Sequence, residues 1–252
     1  PMADSSKRSS TVRARAAGSR RPARQSSAAG KPRAAAQALL PQGDVTLTDR
    51  AYAELEELIV TLQLPPGTAL SELVLAKRLD IGRTPIREAL QRLSRDGLVN
   101  ILARRGVLVS EIDLRAQLRL LEVRRELERL MARGAAERAT SEQRAQFSEI
   151  AAGMRRAAEK SDDLLFMRLD HQFNTLISAA SRNEFASRAM GLMHGLSRRF
   201  WYQHYKEAAD LPLAARLHAD VAEAIAERRV DAAGAASDSL IDYIESFARS
   251  TL

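Results

Sequence analysis

Hydrophobic residues recur at helical spacing along most of the chain, beginning near Thr48. The first such run has Thr48 as its predicted N-cap and ends where Pro65 and Pro66 remove backbone donors. Its apolar positions are Ala51, Leu55, Leu58 and Leu62. Residues 1–43, by contrast, hold almost no large apolar side chains. A segment of this composition cannot bury enough surface to offset the entropy of ordering, so we predict that it is disordered.

Two further short helices and two strands are predicted before residue 112. Ser71 is the predicted cap of the second helix, and the third begins near Thr84-Pro85 and ends at Gly97. Residues 98–102 and 107–109 have the composition of strands, joined by a hairpin over residues 103–106. Three short helices followed by a two-stranded hairpin are the outline of a winged helix-turn-helix.

The remaining chain, from residue 113 onward, has only helical periodicity. Six helices are predicted, at roughly 113–139, 141–160, 162–180, 183–206, 211–229 and 231–249. Thr140 with Gln143, and Ser181 with Glu184, have the spacing of capping boxes and mark two helix starts. The predicted fold class is therefore mostly α: an N-terminal winged helix-turn-helix joined to an all-α bundle of six or seven helices.

The net charge of +7 is distributed unevenly over the 252 residues. Residues 1–43 carry nine basic residues and one acid, whereas residues 44–252 have a net charge of −1. The Ser-, Ala- and Arg-rich, acid-poor start also fits an organelle transit peptide, an alternative to a simple tail. The absence of cysteine excludes disulfides, thiolate zinc sites and cysteine nucleophiles. No apolar run reaches the ~20 residues of a membrane span, so we predict a cytoplasmic protein.

The third helix has one apolar face and one face of hydrogen-bond donors. Its apolar stripe is Ile86, Ala89, Leu90 and Leu93. Arginine, threonine and glutamine on the other face suit guanine edges and phosphate oxygens in a major groove, and residues 73–110 carry a net charge of +5. The alternative is a solvated helix whose arginines serve solubility, but a basic hairpin tip beside it favours DNA binding. The candidate DNA contacts are Arg83, Thr84, Arg87, Gln91, Arg104, Arg105 and Gly106.

Several motifs in this region also carry a family resemblance. They are Leu64-Pro65-Pro66-Gly67-Thr68-Ala69-Leu70-Ser71-Glu72, Leu75-Ala76, Gly82-Arg83-Thr84-Pro85-Ile86-Arg87-Glu88-Ala89-Leu90, Gly97-Leu98-Val99 and Arg105-Gly106. Residues 46–111 thereby resemble the DNA-binding domain of the GntR family of bacterial transcriptional regulators. The resemblance implies that Arg83, Thr84 and Arg87 contact DNA at the start of the recognition helix, and that Arg105-Gly106 is the wing tip. Gly82 stands where the family usually has Ser or Thr, so a helix cap or phosphate contact is expected to be missing.

The helical region carries a second resemblance. Its motifs are Glu122-Val123-Arg124 with Glu128, Asp170 with Phe173-Asn174, and Leu217-His218 with Ala224-Ile225. Residues 114–250 are thereby similar to the FCD ligand-binding domain of the FadR subgroup, many of whose members bind a divalent metal through one Asp and three His. Asp170 and His218 match two ligand positions, but Asn174 and Leu240 occupy the other two. An amide is a weak ligand and leucine is none, so metal binding is disfavoured but stays open, and no other cofactor is predicted.

Asp170 lies on the apolar face of its predicted helix, one turn before Asn174, and His218 lies on another inward stripe. A buried carboxylate needs a partner, and His218 is the predicted one. Two interpretations stay open: a polar pair that holds the bundle together, or a pair that lines an effector cavity together with Asn174 and Arg124. Arg124 could complete such a cavity by binding a carboxylate, or could form an i,i+4 salt bridge with Glu128 instead.

Phe200-Trp201-Tyr202 and Tyr205 place four aromatic rings within six residues. Such rings cannot all face one core, so some are expected to meet a cavity or another subunit. The remaining histidines lack metal-ligand spacing and are interpreted as surface or core residues: His171, His194 and His204.

The sequence contains no phosphate-binding loop, nucleophile elbow or His-Glu-x-x-His motif, so no enzyme is predicted. The predicted function is a transcriptional repressor that binds double-stranded operator DNA as a homodimer and is released by a small organic-acid effector. A non-specific architectural DNA-binding protein and an enzyme built on the helical domain stay open as alternatives. The predicted division is a basic tail (1–43), a DNA-binding domain (44–112) and an effector-binding and dimerisation domain (113–252).

Overall fold

The computed structural model of the chain describes residues 46–104 and 106–251. The predicted disordered tail and the wing residue Arg105 lie outside the described residues. The elements in chain order are α1 (Leu47–Val60), β1 (Ala69–Leu70), α2 (Glu72–Leu79), α3 (Arg83–Arg95), β2 (Val99–Leu102), β3 (Gly106–Val109), α4 (Leu114–Arg138), α5 (Ser141–Lys160), α6 (Asp163–Ser181), α7 (Glu184–Ala208), α8 (Leu211–Ala226) and α9 (Val230–Arg249). A winged helix-turn-helix followed by a bundle of six helices confirms the predicted fold class.

The core of the winged helix-turn-helix comes from α1–α3 and the sheet. The predicted apolar stripe of α3 is fully buried: Ile86, Ala89, Leu90 and Leu93. It packs against α1, where Leu55 and Ile59 are also fully buried. Burying a side chain of this size contributes about 1.5–3 kcal/mol, so these contacts fix the position of α3 and leave its polar face outward.

The wing contains one more strand than the sequence predicts. Strands β2 and β3 form the predicted antiparallel hairpin, with Leu102 opposite Gly106. Strand β1 pairs with the other edge of β3, where Ala69 lies opposite Leu108, and the strand order is β1-β3-β2. The hairpin is therefore joined through β3 to the segment between α1 and α2.

Two predicted helix caps are wrong and two are confirmed. Ser71 caps α2 as predicted, with its hydroxyl oxygen accepting the N–H of Val74. The N-cap of α1 is Thr46, whose hydroxyl oxygen accepts the backbone N–H of Asp49, while Thr48 lies inside the helix. The N-cap of α7 is Asn183, whose side-chain oxygen accepts the N–H of Ala186, whereas Ser181 is the last residue of α6. The capping box at the start of α5 is formed as predicted, between Thr140 and Gln143.

Helices α4–α9 enclose a second core. Its largest fully buried side chains are Phe147, Met154 and Ile225, and Leu240 from α9 packs among them with an exposed fraction of 3%. Leu240 is thus an ordinary core residue, as its apolar stripe indicates. Over residues 46–104 and 106–251, no helix has the length and apolar character that crossing a bilayer requires.

Helix α7 connects the bundle to the winged helix-turn-helix. Leu196 packs against the core of the winged helix-turn-helix. Gly195 allows close contact there, because a Cβ at this position would lie 2.8 Å from Cδ1 of Leu98. Next along the helix, the buried side chain of Arg199 donates hydrogen bonds to the carbonyl oxygens of Ser110 and Glu111, in the segment that joins β3 to α4. One helix therefore holds both the N-terminal core and the connecting segment.

Candidate nucleic-acid interface and effector site

The polar face of α3 is open to solvent. The residues predicted to contact DNA from this helix are all exposed: Arg83, Thr84, Arg87 and Gln91. Gly82 is the N-cap of α3 and provides no side-chain hydrogen bond. The N–H groups of the first turn are therefore not capped by a side chain, and a helix N-terminus of this kind attracts phosphate.

The wing tip adopts a backbone conformation that glycine favours. Arg104 has a φ of 63° and Gly106 a φ of 88°, and both residues are exposed. A hairpin loop of three residues commonly contains such a left-handed position. Because a Cβ on Gly106 would have no atom within 4 Å, the requirement for glycine there is conformational and not steric.

An acidic residue of α2 contacts the arginines of α3. The carboxylate of Glu72 accepts two hydrogen bonds from Arg87, from Nε at 2.9 Å and from Nη2 at 2.8 Å. The guanidinium of Arg83 lies 3.7 Å from the same carboxylate. These hydrogen bonds and charges hold the pKa of Glu72 below its usual range, so the carboxylate is ionised at neutral pH.

Within the bundle, Asp170 and His218 form the predicted pair. Nε2 of His218 lies 3.1 Å from Oδ1 of Asp170, and Nδ1 lies 2.8 Å from the carbonyl oxygen of Ala214. The edges of Phe166 and Phe173 enclose the imidazole ring. Both ring nitrogens face acceptors, an arrangement that satisfies the protonated imidazole.

Burial and ion pairing act in opposite directions on this pair. Burial raises the pKa of Asp170, but the hydrogen bond and charge of His218 outweigh burial and hold it below the usual range. Burial lowers the pKa of His218, and the hydrogen bond and charge of Asp170 outweigh that effect and raise it. Both shifts are in the direction that favours an imidazolium paired with a carboxylate.

The residues at the four expected ligand positions do not fit the metal centre that the FCD resemblance implies. Asp170 and His218 lie 3.1 Å apart, but one carboxylate and one imidazole are too few ligands for a tight metal site. The amide of Asn174 donates a hydrogen bond to the same carboxylate oxygen at 3.1 Å, and Leu240 is buried in the core. Among the described residues, no group of three or more His, Asp or Glu side chains is arranged to hold a metal ion.

Arg124 forms the predicted salt bridge and also reaches α7. Its Nε donates to Glu128 at 2.6 Å, and its Nη1 donates to the hydroxyl oxygen of Ser197 at 2.9 Å. His194 lies nearby on α7: burial lowers its pKa, the positive charge of Arg124 lowers it further, and Asp170 acts on it in the opposite direction. The charges of Arg124 and Asp170 both act on His194, so these residues are grouped here as one polar cluster around Asp170 and His218.

Arg198 is a member of this cluster that the sequence analysis missed. Its charge helps to lower the pKa of Asp170, while its Nη2 donates a hydrogen bond of 3.1 Å to Glu57 of α1. His194, Ser197 and Arg198 follow one another at i, i+3 and i+4, so their spacing alone places them on one face of α7. That spacing is the signal by which the sequence could have identified them.

A cleft of about 590 Å³ lies between α7 and the winged helix-turn-helix. Its walls include Tyr52 and Glu56 of α1 and Leu192 and His194 of α7. His194 therefore lines this cleft and also approaches the polar cluster around Asp170.

Two rings of the aromatic cluster on α7, Phe200 and Trp201, differ in burial. Phe200 is buried and packs edge-to-face on Phe247. Trp201 is half-buried and contacts Phe166, the ring that packs on His218. Its Nε1 is buried and has no hydrogen-bond partner in the described part of the chain. This N–H is a donor that a ligand could satisfy.

An exposed cationic recognition helix joined to a helical domain with a buried polar cluster defines a DNA-binding transcriptional regulator. Residues 47–109 match the model for bacterial regulatory proteins of the gntR family, and residues 119–243 match the FCD domain. The chain belongs to the GntR family, in the group that carries an FCD domain. Relatives of this chain are named as transcriptional regulators.

Named relatives cover most of this chain. The HTH-type transcriptional repressor RspR of Escherichia coli (strain K12) is 29% identical over 187 residues, 74% of this chain and 82% of that protein. The Nta operon transcriptional regulator of Aminobacter aminovorans is 26% identical over 172 residues, 68% of this chain and 80% of that protein. Among solved structures, E. coli McbR/YncC has a TM-score of 0.71 at 20% identity and covers 82% of this chain and 99% of its own. That likeness supports the fold.

Proposed function

We propose that this chain is a sequence-specific transcriptional repressor whose operator binding is relieved by a small carboxylate bound in the helical domain. The exposed donor face of α3, held outward by four buried residues, carries the proposal. The proposed DNA contacts are Arg83, Thr84, Arg87, Gln91, Arg104, Arg105 and Gly106. We place the DNA-binding domain at residues 44–112 and the effector-binding and dimerisation domain at 113–252. A regulator of chromosomal genes would act in the cytoplasm.

Operator preference is the direct test. Duplexes enriched from fragmented genomic DNA by the full chain are compared with random duplexes of equal length at about 150 mM salt. A specific regulator binds its operator about 10³-fold or more tightly than random DNA. An architectural protein would bind both alike and with steep salt dependence, and that outcome would overturn the proposal.

The proposed effector site is the polar cluster around Asp170 and His218. Arg124, Arg198 and the imidazolium of His218 supply positive charge, and Asn174 and Trp201 supply neutral donors. Each of these cations already has one carboxylate partner: Arg124 pairs with Glu128, Arg198 with Glu57 and His218 with Asp170. A small carboxylate would take the place of one of these partners, and a guanidinium binds a carboxylate in bidentate fashion.

Removing Asp170 or His218 is expected to abolish ligand stabilisation. A panel of C2–C6 mono-, di- and tricarboxylates is screened by thermal shift, in which a ligand at 100 times its dissociation constant stabilises the folded state by about 2.7 kcal/mol. Asp170→Ala and His218→Ala are expected to show no shift with the acid that stabilises the parent chain most. Glu159→Gln, an exposed change on α5, is the control and should keep the shift. Circular dichroism checks that each variant is folded, and a full shift in both alanine variants would place the pocket elsewhere.

We also propose that the chain acts as a homodimer through α4. Leu120, Val123, Leu127 and Leu130 follow the 3-4-3 spacing of a helix-pairing seam. Val123 and Leu130 are about half exposed, at 52% and 48%. A second copy related by a two-fold axis would cover the seam and present two recognition helices to a palindromic operator.

A glutamate in this seam is expected to prevent dimer formation. Because a two-fold interface repeats each change, Val123→Glu would introduce two carboxylates into one apolar contact. Sedimentation equilibrium at micromolar concentration is expected to give the parent chain as a dimer and the variant as a monomer. Leu164→Glu is the matched control, since Leu164 is 79% exposed and lies on α6. A dimeric Val123→Glu variant would exclude the α4 seam.

A further inference from the structure

Glu72 is the first residue of α2, and its carboxylate lies against the polar face of α3. It accepts hydrogen bonds from Nε and Nη2 of Arg87, and the guanidinium of Arg83 is 3.7 Å away. One carboxylate therefore contacts two of the arginines that we propose to read DNA. Glu72 is not among the predicted DNA contacts.

The contact uses only one edge of the Arg87 guanidinium. A guanidinium has five N–H groups, and the Nε–Nη2 edge takes up two of them. The Nη1–Nη2 edge forms no other hydrogen bond with the described residues, and the side chain is 54% exposed. That free edge is the one with which arginine reads O6 and N7 of a guanine.

We infer that Glu72 is a specificity-determining residue, which positions Arg87 for guanine and keeps Arg87 and Arg83 from binding phosphate. The inference rests on the proposed DNA-reading role of α3. It assigns Glu72 a role through the arginines and no contact with DNA of its own.

Contacts to guanine and contacts to phosphate affect the hydrogen bonds between Arg87 and Glu72 differently. Guanine presents neutral acceptors to the free edge, so Arg87 can read the base while Glu72 keeps the other edge. A phosphate is an anion that competes with Glu72 for the same guanidinium and is repelled by its carboxylate. Non-specific binding consists almost entirely of phosphate contacts, so Glu72 weakens it more than it weakens operator binding.

The ion pairs of Glu72 with Arg87 and Arg83 contribute little to the stability of the fold. Both arginines are largely exposed, and exposed ion pairs contribute little to stability. Replacing Glu72 by its amide should therefore leave the fold intact and change DNA binding alone.

The test compares Glu72→Gln with Glu88→Gln in the full chain. Both changes remove one negative charge next to the recognition helix, but the exposed Glu88 accepts a hydrogen bond from Thr48 and contacts neither arginine. Affinities are measured for the selected operator and for a random duplex across a salt series. In Glu72→Gln the ratio of operator to random affinity is expected to fall about tenfold, and the salt slope for random DNA is expected to steepen by about one. Glu88→Gln is expected to keep the parent ratio.

The outcomes separate this inference from the proposed function. An unchanged ratio in Glu72→Gln, or an equal change in both variants, would overturn the role of Glu72. If Arg87→Ala still weakens operator binding in the same assay, the recognition-helix assignment survives that result. Replacing the operator guanines by 7-deazaguanine adds a second readout. This change is expected to lower the operator affinity of the parent chain more than it lowers that of the Glu72→Gln variant.

Discussion

Replacing Arg87 by alanine is expected to lower operator affinity about 5- to 150-fold, the range observed when a side chain that reads a base is removed. Arg87 is exposed on α3, one turn after the uncapped N-terminus, and its free guanidinium edge faces solvent. The affinity for random DNA should change much less, because that binding depends on many phosphate contacts. Fluorescence anisotropy with the selected operator and a random duplex measures both values.

Two variants distinguish base reading from a loss of positive charge. Arg87→Lys keeps the charge but lacks the planar pair of donors, so it is expected to lose most of the operator preference. Arg119→Ala removes an equivalent exposed charge from α4 and should leave the operator titration unchanged. If Arg87→Ala binds the operator as the parent chain does, α3 is not the recognition helix.

The orientation of α3 could be predicted from the sequence because its determinants are local. Ile86, Ala89, Leu90 and Leu93 occupy one face at helical spacing, and all four are buried in the structure. Their burial against α1 forces the intervening polar residues outward. A helix with one apolar stripe has only one orientation available, so the donor face followed from the pattern.

Helix starts were less predictable where two capping residues lie close together. Thr46 and Thr48 both have hydroxyl groups, and Thr46 is the N-cap of α1. Ser181 and Asn183 present the same choice at α7, where Asn183 is the cap. Short-range patterns rank such residues almost equally, so tertiary packing decides which residue is the cap. The two-residue strand β1 had no pattern of its own, because its pairing with β3 spans 39 residues.

The polar cluster around Asp170 and His218 was predicted in part. Asp170 and His218 stood out as polar residues on apolar stripes, and they form a pair in the structure. Arg198 did not stand out, because a charged residue on a long helix is usually exposed. Its importance depends on Glu57, which is 141 residues away in sequence and lies in the other core. No spacing rule connects two such residues.

Arg198 links the proposed effector site to the DNA-binding region. Burial lowers its pKa, but the charges of Glu57, Glu56 and Asp170 outweigh burial and raise it, so it interacts with carboxylates on both sides. A carboxylate ligand near Asp170 would add negative charge on one side and draw the guanidinium away from Glu57. Leu196 and Gly195 lie next to Arg198 and pack on the winged helix-turn-helix, so a shift of α7 would move the recognition helix.

Breaking this link is expected to leave the repressor bound to DNA when the effector is present. Allosteric coupling typically changes affinity about 5- to 150-fold, so a saturating carboxylate should weaken operator binding of the parent chain by a factor in that range. In the Glu57→Gln variant, a saturating carboxylate is expected to weaken operator binding less than about threefold. Glu57 lies outside the cluster around Asp170, so the thermal shift caused by the carboxylate should be retained. Operator titrations with and without the acid measure the coupling.

The matched control for this prediction is Glu54→Gln, on the same helix. Glu54 pairs with Arg50 within α1 and forms no hydrogen bond or salt bridge with α7 among the described residues, so its removal should leave the full response to the carboxylate. Arg198→Met should lose both the thermal shift and the response, because Arg198 belongs to the proposed site and to the link. Coupling is reciprocal, so operator DNA should weaken carboxylate binding to the parent chain by the same factor and have little effect on Glu57→Gln. A Glu57→Gln variant that is released as fully as the parent chain would show that the signal reaches the recognition helix by contacts other than this ion pair.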